Sequence, residues 1–295
     1  MPSFTYELKS ELVRIKHLSI IDEAAELKAL LKVGAQVTDN KIDFLNTNAA
    51  VARRVLSLVK KIYPNVKTAI AVIRTKKLRK TNQYLVRIFQ NAQFGLITEE
   101  ILKNKNIKSP EKKEIRASYL RGAFLANGSI NRPEAQYHLE IKTTTKTIAK
   151  IIEKLMKSVG VPAKIYERKG NYVVYTKNFE AICDFLYVIK AYEALEKFEI
   201  AQNLKEVKAQ VNRIVNCETA NLQRAVDAAQ RQIKIITTLQ EKGIKLSSAL
   251  KETAKVRLEN PSATMPELAE KLFISTSGLK HRMKKIIDLY DNNNF

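Results

Sequence analysis

Near the tail of the 295-residue chain, Ser275, Thr276 and Ser277 precede Lys280, His281, Arg282, Lys284 and Lys285. Hydroxyls followed by cations at helical spacing can hydrogen-bond base edges and neutralise phosphates. A second basic run, Arg74, Lys76, Lys77, Arg79 and Lys80, places five cations in seven residues. Other chemistries find little support. Cys183 and Cys217 cannot build a disulfide framework or a four-ligand zinc site, and adding His17, His138 and His281 gives no finger-like spacing. Neither a Gly-x-x-x-x-Gly-Lys phosphate loop nor a Gly-x-Ser-x-Gly elbow is present. His138 follows a β-type tyrosine and reads as a structural hydrogen-bonding residue rather than a base. Cys217 reads as buried rather than reactive. The expectation is a protein that is not an enzyme, with no cofactor, no metal and no small-molecule substrate.

Lys and Arg number 52 against 30 Asp and Glu, a formal net charge of +22. Such an excess calls for a polyanionic partner, nucleic acid or an anionic membrane. Glu7, Lys9, Glu11, Arg14 and Lys16 interrupt the first apolar stretch, so no signal-peptide core is seen. No run approaches the roughly 20 apolar residues of a spanning helix. The reading is therefore a cytoplasmic protein with nucleic acid as its leading partner, which the motifs and the resemblance given below narrow to double-stranded DNA and a nucleoid-associated role. Hydrophobic content of 45% is ample for packed cores. The charge is uneven: residues 1–190 hold 35 cations against 17 acids, residues 191–295 hold 17 against 13. The run from Arg74 to Lys80 lies between two β-type segments, Ala69–Ile73 and Tyr84–Phe89. That arrangement predicts a hairpin with a basic tip able to contact phosphates.

The elements that position these groups show an internal repeat. Ala25–Val33 carries apolar residues at Leu27, Leu30, Leu31 and Val33, and Ala117–Ala126 carries Leu120, Phe124 and Leu125. Each helix is followed by β-type sequence and a second helix. An offset of 93 residues places Leu27 on Leu120, Ala29 on Gly122 and Val33 on Ala126, and carries Val55, Leu58, Val59 and Ile62 onto Ile148, Ile151, Ile152 and Leu155. Gly122 and Ala126 share one helical face, where small side chains admit another helix closely. The two first helices are expected to pack together about a pseudo-two-fold axis, with Arg121 and Asn127 placed to tie them.

Tyr119–Ser129 resembles the signature of the LAGLIDADG homing endonucleases, a likeness covering roughly residues 20–190. It implies two such helices at the centre of a DNA-binding saddle, each with a metal-binding acid at its foot. Here those positions hold Asn127 and Gly34. Hard divalent cations need carboxylate oxygens, so the nuclease chemistry is expected to be absent.

Beyond residue 190 the pattern is helical. Residues 191–211 read as a connecting helix or hinge, and the amide-dense run Asn212–Leu222 reads as turns and caps. A long helix is expected from near Glu218 to before Gly243, and another from about Ser247 to Glu259. Thr264, Pro266 and Glu267 form a capping box at the start of a short helix. Phe273–Ile274 make a turn, and Ser275 or Thr276 caps a basic helix with Leu279, Met283, Ile286, Ile287 and Tyr290 inside. This is helix-turn-helix geometry, whose second helix enters the major groove. Arg282, Lys280 and Ser277 are the expected base contacts, Lys284 and Lys285 the phosphate contacts.

Several segments together resemble the WhiA family: Ser3–Phe4 with Lys9 and Glu11–Leu12, Gly128–Ser129–Ile130 with Tyr137–Ile141, Asn212–Leu222, and Ile274–Arg282. The chain departs from that family at Thr276 and Lys280, where Lys and Asn are usual. The resemblance implies an α+β protein: a catalytically inactive, duplicated αββαββ domain over 1–190, a linker over 191–215, and an all-α helix-turn-helix domain over 216–295 with its motif at 264–290. It implies a transcriptional regulator acting in cell division, chromosome segregation and, in sporulating relatives, sporulation. A protein partner on the N-terminal domain stays open, as does the alternative of a scaffold that uses the basic N-terminal domain to bind nucleic acid without sequence preference.

Overall fold

The computed structural model describes residues 3–16, 19–74, 82–90, 94–99 and 112–293. It divides into two compact units, Met1–Lys205 and Glu206–Phe295. The first unit is α+β. After α1 (Phe4–Leu12), one repeat runs α2 (Ile20–Gly34), β1 (Ala35–Thr38), β2 (Lys41–Asn46), α3 (Ala49–Ile62), β3 (Thr68–Arg74) and β4 (Asn82–Phe89). A short helix, α4 (Phe94–Ile97), separates it from the second repeat. That repeat runs α5 (Lys113–Asn127), β5 (Gly128–Ile130), β6 (Leu139–Thr143), α6 (Lys146–Ser158), β7 (Lys164–Arg168) and β8 (Asn171–Thr176), and α7 (Phe179–Val188) follows. Each repeat contributes one antiparallel sheet, of order β1-β2-β4-β3 and β5-β6-β8-β7.

The helices begin where side chains satisfy their free N–H groups. Ser19 accepts the Asp22 N–H, Asn48 those of Ala50 and Val51, and Thr145 that of Ile148. Alternation in β2 and β6 buries Ile42, Phe44 and Asn46 in one sheet and Leu139, Ile141 and Thr143 in the other.

The first helices are related by the expected offset: Ile20 maps to Lys113 and Gly34 to Asn127, both 93 residues on. Beyond β5 the offset changes. The β1 residue Ala35 pairs with Phe44, and its counterpart Gly128 pairs with Ile141, which puts Ile141 97 residues beyond Phe44. The buried residues Ala52, Val55, Leu58 and Val59 of α3 correspond likewise to Ala149, Ile152, Leu155 and Met156 of α6, 97 residues on. The single offset read from the sequence is thus one helical turn short for this pair. A four-residue slip keeps the same face of a helix, so periodicity cannot detect it. The extra residues enter between β5 and β6.

The two first helices meet backbone to side chain. A Cβ built on Gly122 would lie 2.3 Å from the Glu26 carbonyl oxygen and 3.0 Å from Ala29 Cβ. Residues 29 and 122 are repeat equivalents, so the contact lies beside the pseudo-two-fold axis. Symmetry is also visible at the foot, where Asn127 Nδ2 donates to the Val33 carbonyl at 2.8 Å and Ala126 Cβ faces Gly34. Exchanging the repeats turns either contact into the other. Between the helices, Glu26 is fully buried and accepts from Arg121 Nε at 2.8 Å and Arg54 Nε at 2.9 Å.

In the second unit, α8 (Tyr192–Glu241), whose first turns belong to the first unit, leads to α9 (Ser248–Glu259), α10 (Met265–Lys271) and α11 (Thr276–Asn292). Ile235, Ile236 and Leu239 of α8 pack with Leu250 and Ala254 of α9 and with Met283 and Ile286 of α11. Leu268, Ala269 and Leu272 of α10 pack with Leu279 of α11. Helix α8 passes through Asn212–Leu222 without a break, where the amide-dense run suggests turns. Amide side chains cost a helix only a few tenths of a kcal/mol each, roughly, and the Gln, Lys, Arg and Ala residues around them outweigh that. No helix among the described residues is long and apolar enough to cross a membrane.

Two stability predictions follow from this core. Gly122→Ala forces a methyl group against helix backbone, so unfolding in urea should show a loss of about 1–3 kcal/mol. An unchanged midpoint would mean that α5 can move aside. Lys9 on α1 is buried, lies 5.9 Å from the Phe124 ring centroid, and is lowered by that burial to a pKa of about 8. Its charged form is therefore disfavoured on folding, and the penalty applies in full below pH 8. It fades as pH rises from about 8 towards the unfolded value of 10.5, where the unfolded chain binds the proton more tightly. Lys9→Met should accordingly stabilise the protein at pH 7 by on the order of 2–3 kcal/mol. Thermal melts of both proteins should converge above pH 8; a gain that is constant with pH would assign the effect to packing alone.

Candidate nucleic-acid interface

The helix-turn-helix starts at Thr264, whose side chain accepts the Glu267 N–H while Glu267 Oε2 accepts the Thr264 N–H at 2.7 Å. That backbone hydrogen bond holds the Glu267 carboxyl below its ordinary range. Leu268 and Ala269 fasten α10 to the core, and Phe273 turns the chain with φ +52°. Ser275, rather than Thr276, caps α11, its Oγ accepting the Gly278 N–H at 3.1 Å.

Burial of Leu279, Met283 and Ile286 fixes which face of α11 points outward. Ser277, Lys280, His281, Lys284 and Lys285 are exposed, with Thr276 partly covered. Ser277, Lys280, His281 and Lys284 follow at i, i+3, i+4 and i+7, one continuous stripe. Arg282 lies off that stripe, towards α9: its side chain is 27% exposed and Nη1 sits 3.6 Å from Glu252 Oε2. Of the first basic run, Arg74 ends β3, exposed and paired in register with Asn82 of β4. The expected hairpin is therefore formed by β3 and β4; Lys76, Lys77, Arg79 and Lys80 lie outside the described residues.

At the foot of the central helices the residues do not fit a divalent cation. A Cβ on Gly34 would come within 2.6 Å of the Phe44 ring, so no carboxylate has room there. Asn127 spends its amide on the Val33 carbonyl. Asn46, from β2, donates to the carbonyls of Leu125 and Ala126 at 3.3 and 3.1 Å. These groups are amide donors facing carbonyls, the opposite of a carboxylate cradle. No cluster of three or more His, Cys, Asp or Glu occurs among the described residues.

Beside the second sheet, His138 Nε2 lies 3.1 Å from Glu140 Oε2. Burial alone would raise the Glu140 carboxyl, but hydrogen bonds from His138, Ser129 and Tyr166 bring it below its ordinary range. Burial pushes the Cys183 thiol up to about 11. Cys217 is exposed on α8, not buried, in a stretch of helix whose residues 212–222 are all exposed.

Sequence reasoning missed two features. Arg257 is an almost fully buried cation in α9, and Phe273 is 96% exposed in left-handed backbone. A non-glycine residue there costs roughly 1–2 kcal/mol, and so exposed a ring recovers little of it by packing. Phe273→Gly should therefore raise the thermal midpoint of the second unit, by about 1 kcal/mol of stability. A drop on calorimetry would show that the ring makes contacts that matter to the fold.

This architecture has known counterparts. Family models for the WhiA N-terminal LAGLIDADG-like domain, the WhiA LAGLIDADG-like domain and the WhiA C-terminal HTH domain match residues 22–107, 116–208 and 211–290. A probable cell division protein WhiA from Staphylococcus aureus is 40% identical over 98% of this chain and 96% of its own length. The crystal structure of full-length DUF199/WhiA from Thermatoga maritima superposes with a TM-score of 0.64 at 27% identity, covering 99% of both chains. That of the N-terminal LAGLIDADG domain of DUF199/WhiA gives 0.54 at 25% identity over 64% of this chain and 91% of that one. With its two repeats and its terminal helices matched in order, and its sequence shared along nearly the whole length, the chain belongs to the WhiA family.

Proposed function

We propose that the protein is a DNA-binding transcriptional regulator that does not cut DNA. It acts in cell division and chromosome segregation, and in sporulating relatives in sporulation. The observation that carries the reading is the outward stripe of α11. Ser277, Lys280, His281 and Lys284 project together from a capped helix, and among the described residues Arg282 is the cation of α11 held by an acid. Such a stripe suits the major groove, with Ser277 and Lys280 near base edges and Lys284 and Lys285 at phosphates. Arg282, engaged with Glu252, contributes less than the sequence suggests. Double-stranded DNA is the partner, and the protein works in the cytoplasm on the nucleoid.

The lost metal foot supports a non-cleaving role for the repeat domain. A second reading keeps its own support: the charge excess lies in residues 1–190, and Lys142, Lys164 and Arg168 sit on strands of the second sheet with Tyr166 and Tyr175. That face suits nucleic acid held without sequence preference.

Binding of the full chain to a duplex selected from a random pool, beside a shuffled duplex, separates the readings. Lys280→Ala should cost about 1–3 kcal/mol on the selected duplex only, and Lys284→Ala should weaken both while lowering the salt slope by about one. Equal affinity of the parent protein for the two duplexes would favour the second reading. Nicking of supercoiled DNA with Mg²⁺ or Mn²⁺ that co-purifies with the protein would sink the non-cleaving one.

A further inference from the structure

Within the second unit, a groove of about 650 Å³ opens between α8 and the connection from α9 to α10. Its apolar lining includes Leu222, Val226, Ala229, Ile233, Pro261 and Met265. The size falls within the 300–1,000 Å³ or so typical of small-molecule sites. Two polar groups in its wall lack partners. Arg257 is 2% exposed; its Nη1 donates to the Ala263 carbonyl at 2.6 Å and its Nη2 lies 3.5 Å from Met265 Sδ, but Nε has no hydrogen-bond partner. Gln232 Oε1 is likewise buried without a donor. No carboxylate pairs with Arg257 among the described residues. A buried guanidinium without a counter-charge costs several kcal/mol, roughly, and the groove beside it is where an anion can relieve that cost.

We propose that this groove is a binding site for a small amphipathic carboxylate, its hydrocarbon body on the α8 face and its acid group beside Arg257. A single buried cation suits one carboxylate better than a phosphate, which calls for several donors. Arg257 itself lines the groove, so an acid group beside it gains the attraction of a desolvated charge while Nη1 keeps the Ala263 carbonyl. The free Gln232 oxygen adds a preference for a ligand that also carries a hydroxyl or amide N–H. Because Thr264 and Pro266 line the same groove, the occupant rests on the first turn of α10, the leading helix of the helix-turn-helix.

Calorimetric titration of the full chain with decanoate and with decanol tests the site. Decanoate should bind saturably at one equivalent, at least about ten-fold tighter than decanol, as a contact with a desolvated charge supplies. Ala225→Trp, at an exposed groove position, should abolish that binding and leave the thermal midpoint unchanged. Arg257→Met should bring decanoate down to the affinity of decanol. Absence of saturable decanoate binding, equal affinity for acid and alcohol, or binding that survives Ala225→Trp on the basic surface would each overturn the proposal.

Discussion

The approach of α2 to α5 is the constraint on which the first unit depends. With a hydrogen atom in place of a side chain at residue 122, one helix seats on the carbonyl of Glu26 in the other. Small residues alone would let the helices slide. The buried carboxylate of Glu26, gripped by Arg121 from one repeat and Arg54 from the other, opposes that slide. A one-turn displacement, about 5.4 Å, would separate charges that have no water to turn to. The value of the cluster is thus in register as much as in strength, since burying ions is itself costly. Each sheet then takes its position from the helix that leads into it, because α2 and α5 run directly into β1 and β5.

The same closeness explains what became of the foot. In a saddle built to hold metal, the helix ends must keep space and negative charge between them. Here Phe44 occupies the space beside Gly34, and Asn127 and Asn46 turn their N–H groups onto helix-terminal carbonyls. Carbonyls at a helix C-terminus lack intrahelical partners, so an amide donor stabilises them where a carboxylate would repel them. The amides at the foot therefore cap the two central helices.

Much of this was legible in the residues. Gly122 with Ala126 and the Thr264–Glu267 box each follow from short-range rules, and each stands where those rules put it. The misreadings share a cause. A helical repeat looks the same after a four-residue slip, so only strand pairing, Ala35 with Phe44 and Gly128 with Ile141, shows the true offset of α6. The amides of Asn212–Leu222 favour turns locally, yet a helix continued from both sides carries them. Arg282 and Arg257 are both cations in a basic chain; which one faces outward is decided by Glu252 and by the loop after α9. Glu252 lies thirty residues from Arg282, outside any local window, and the burial of Arg257 depends on how α9 packs rather than on its neighbours in sequence.

Charge is also unevenly divided along the chain. Residues 1–190 carry an excess of 18 cations and residues 191–295 an excess of 4, yet the ordered outward stripe belongs to α11. In the first unit, part of the basic complement is already answered: Arg87 by Asp43, Lys61 by Glu23, and Arg54 and Arg121 by Glu26. The remaining cations sum into a diffuse field, which draws a polyanion at any sequence and weakens steeply with salt. Four side chains on a capped helix contribute little to such a field, and on the proposed reading their part is to tell one base pair from another. On the proposed reading, then, the repeat domain has exchanged catalysis for general attraction, and a short helix fixed by three buried side chains, Leu279, Met283 and Ile286, decides where along the duplex that attraction is used.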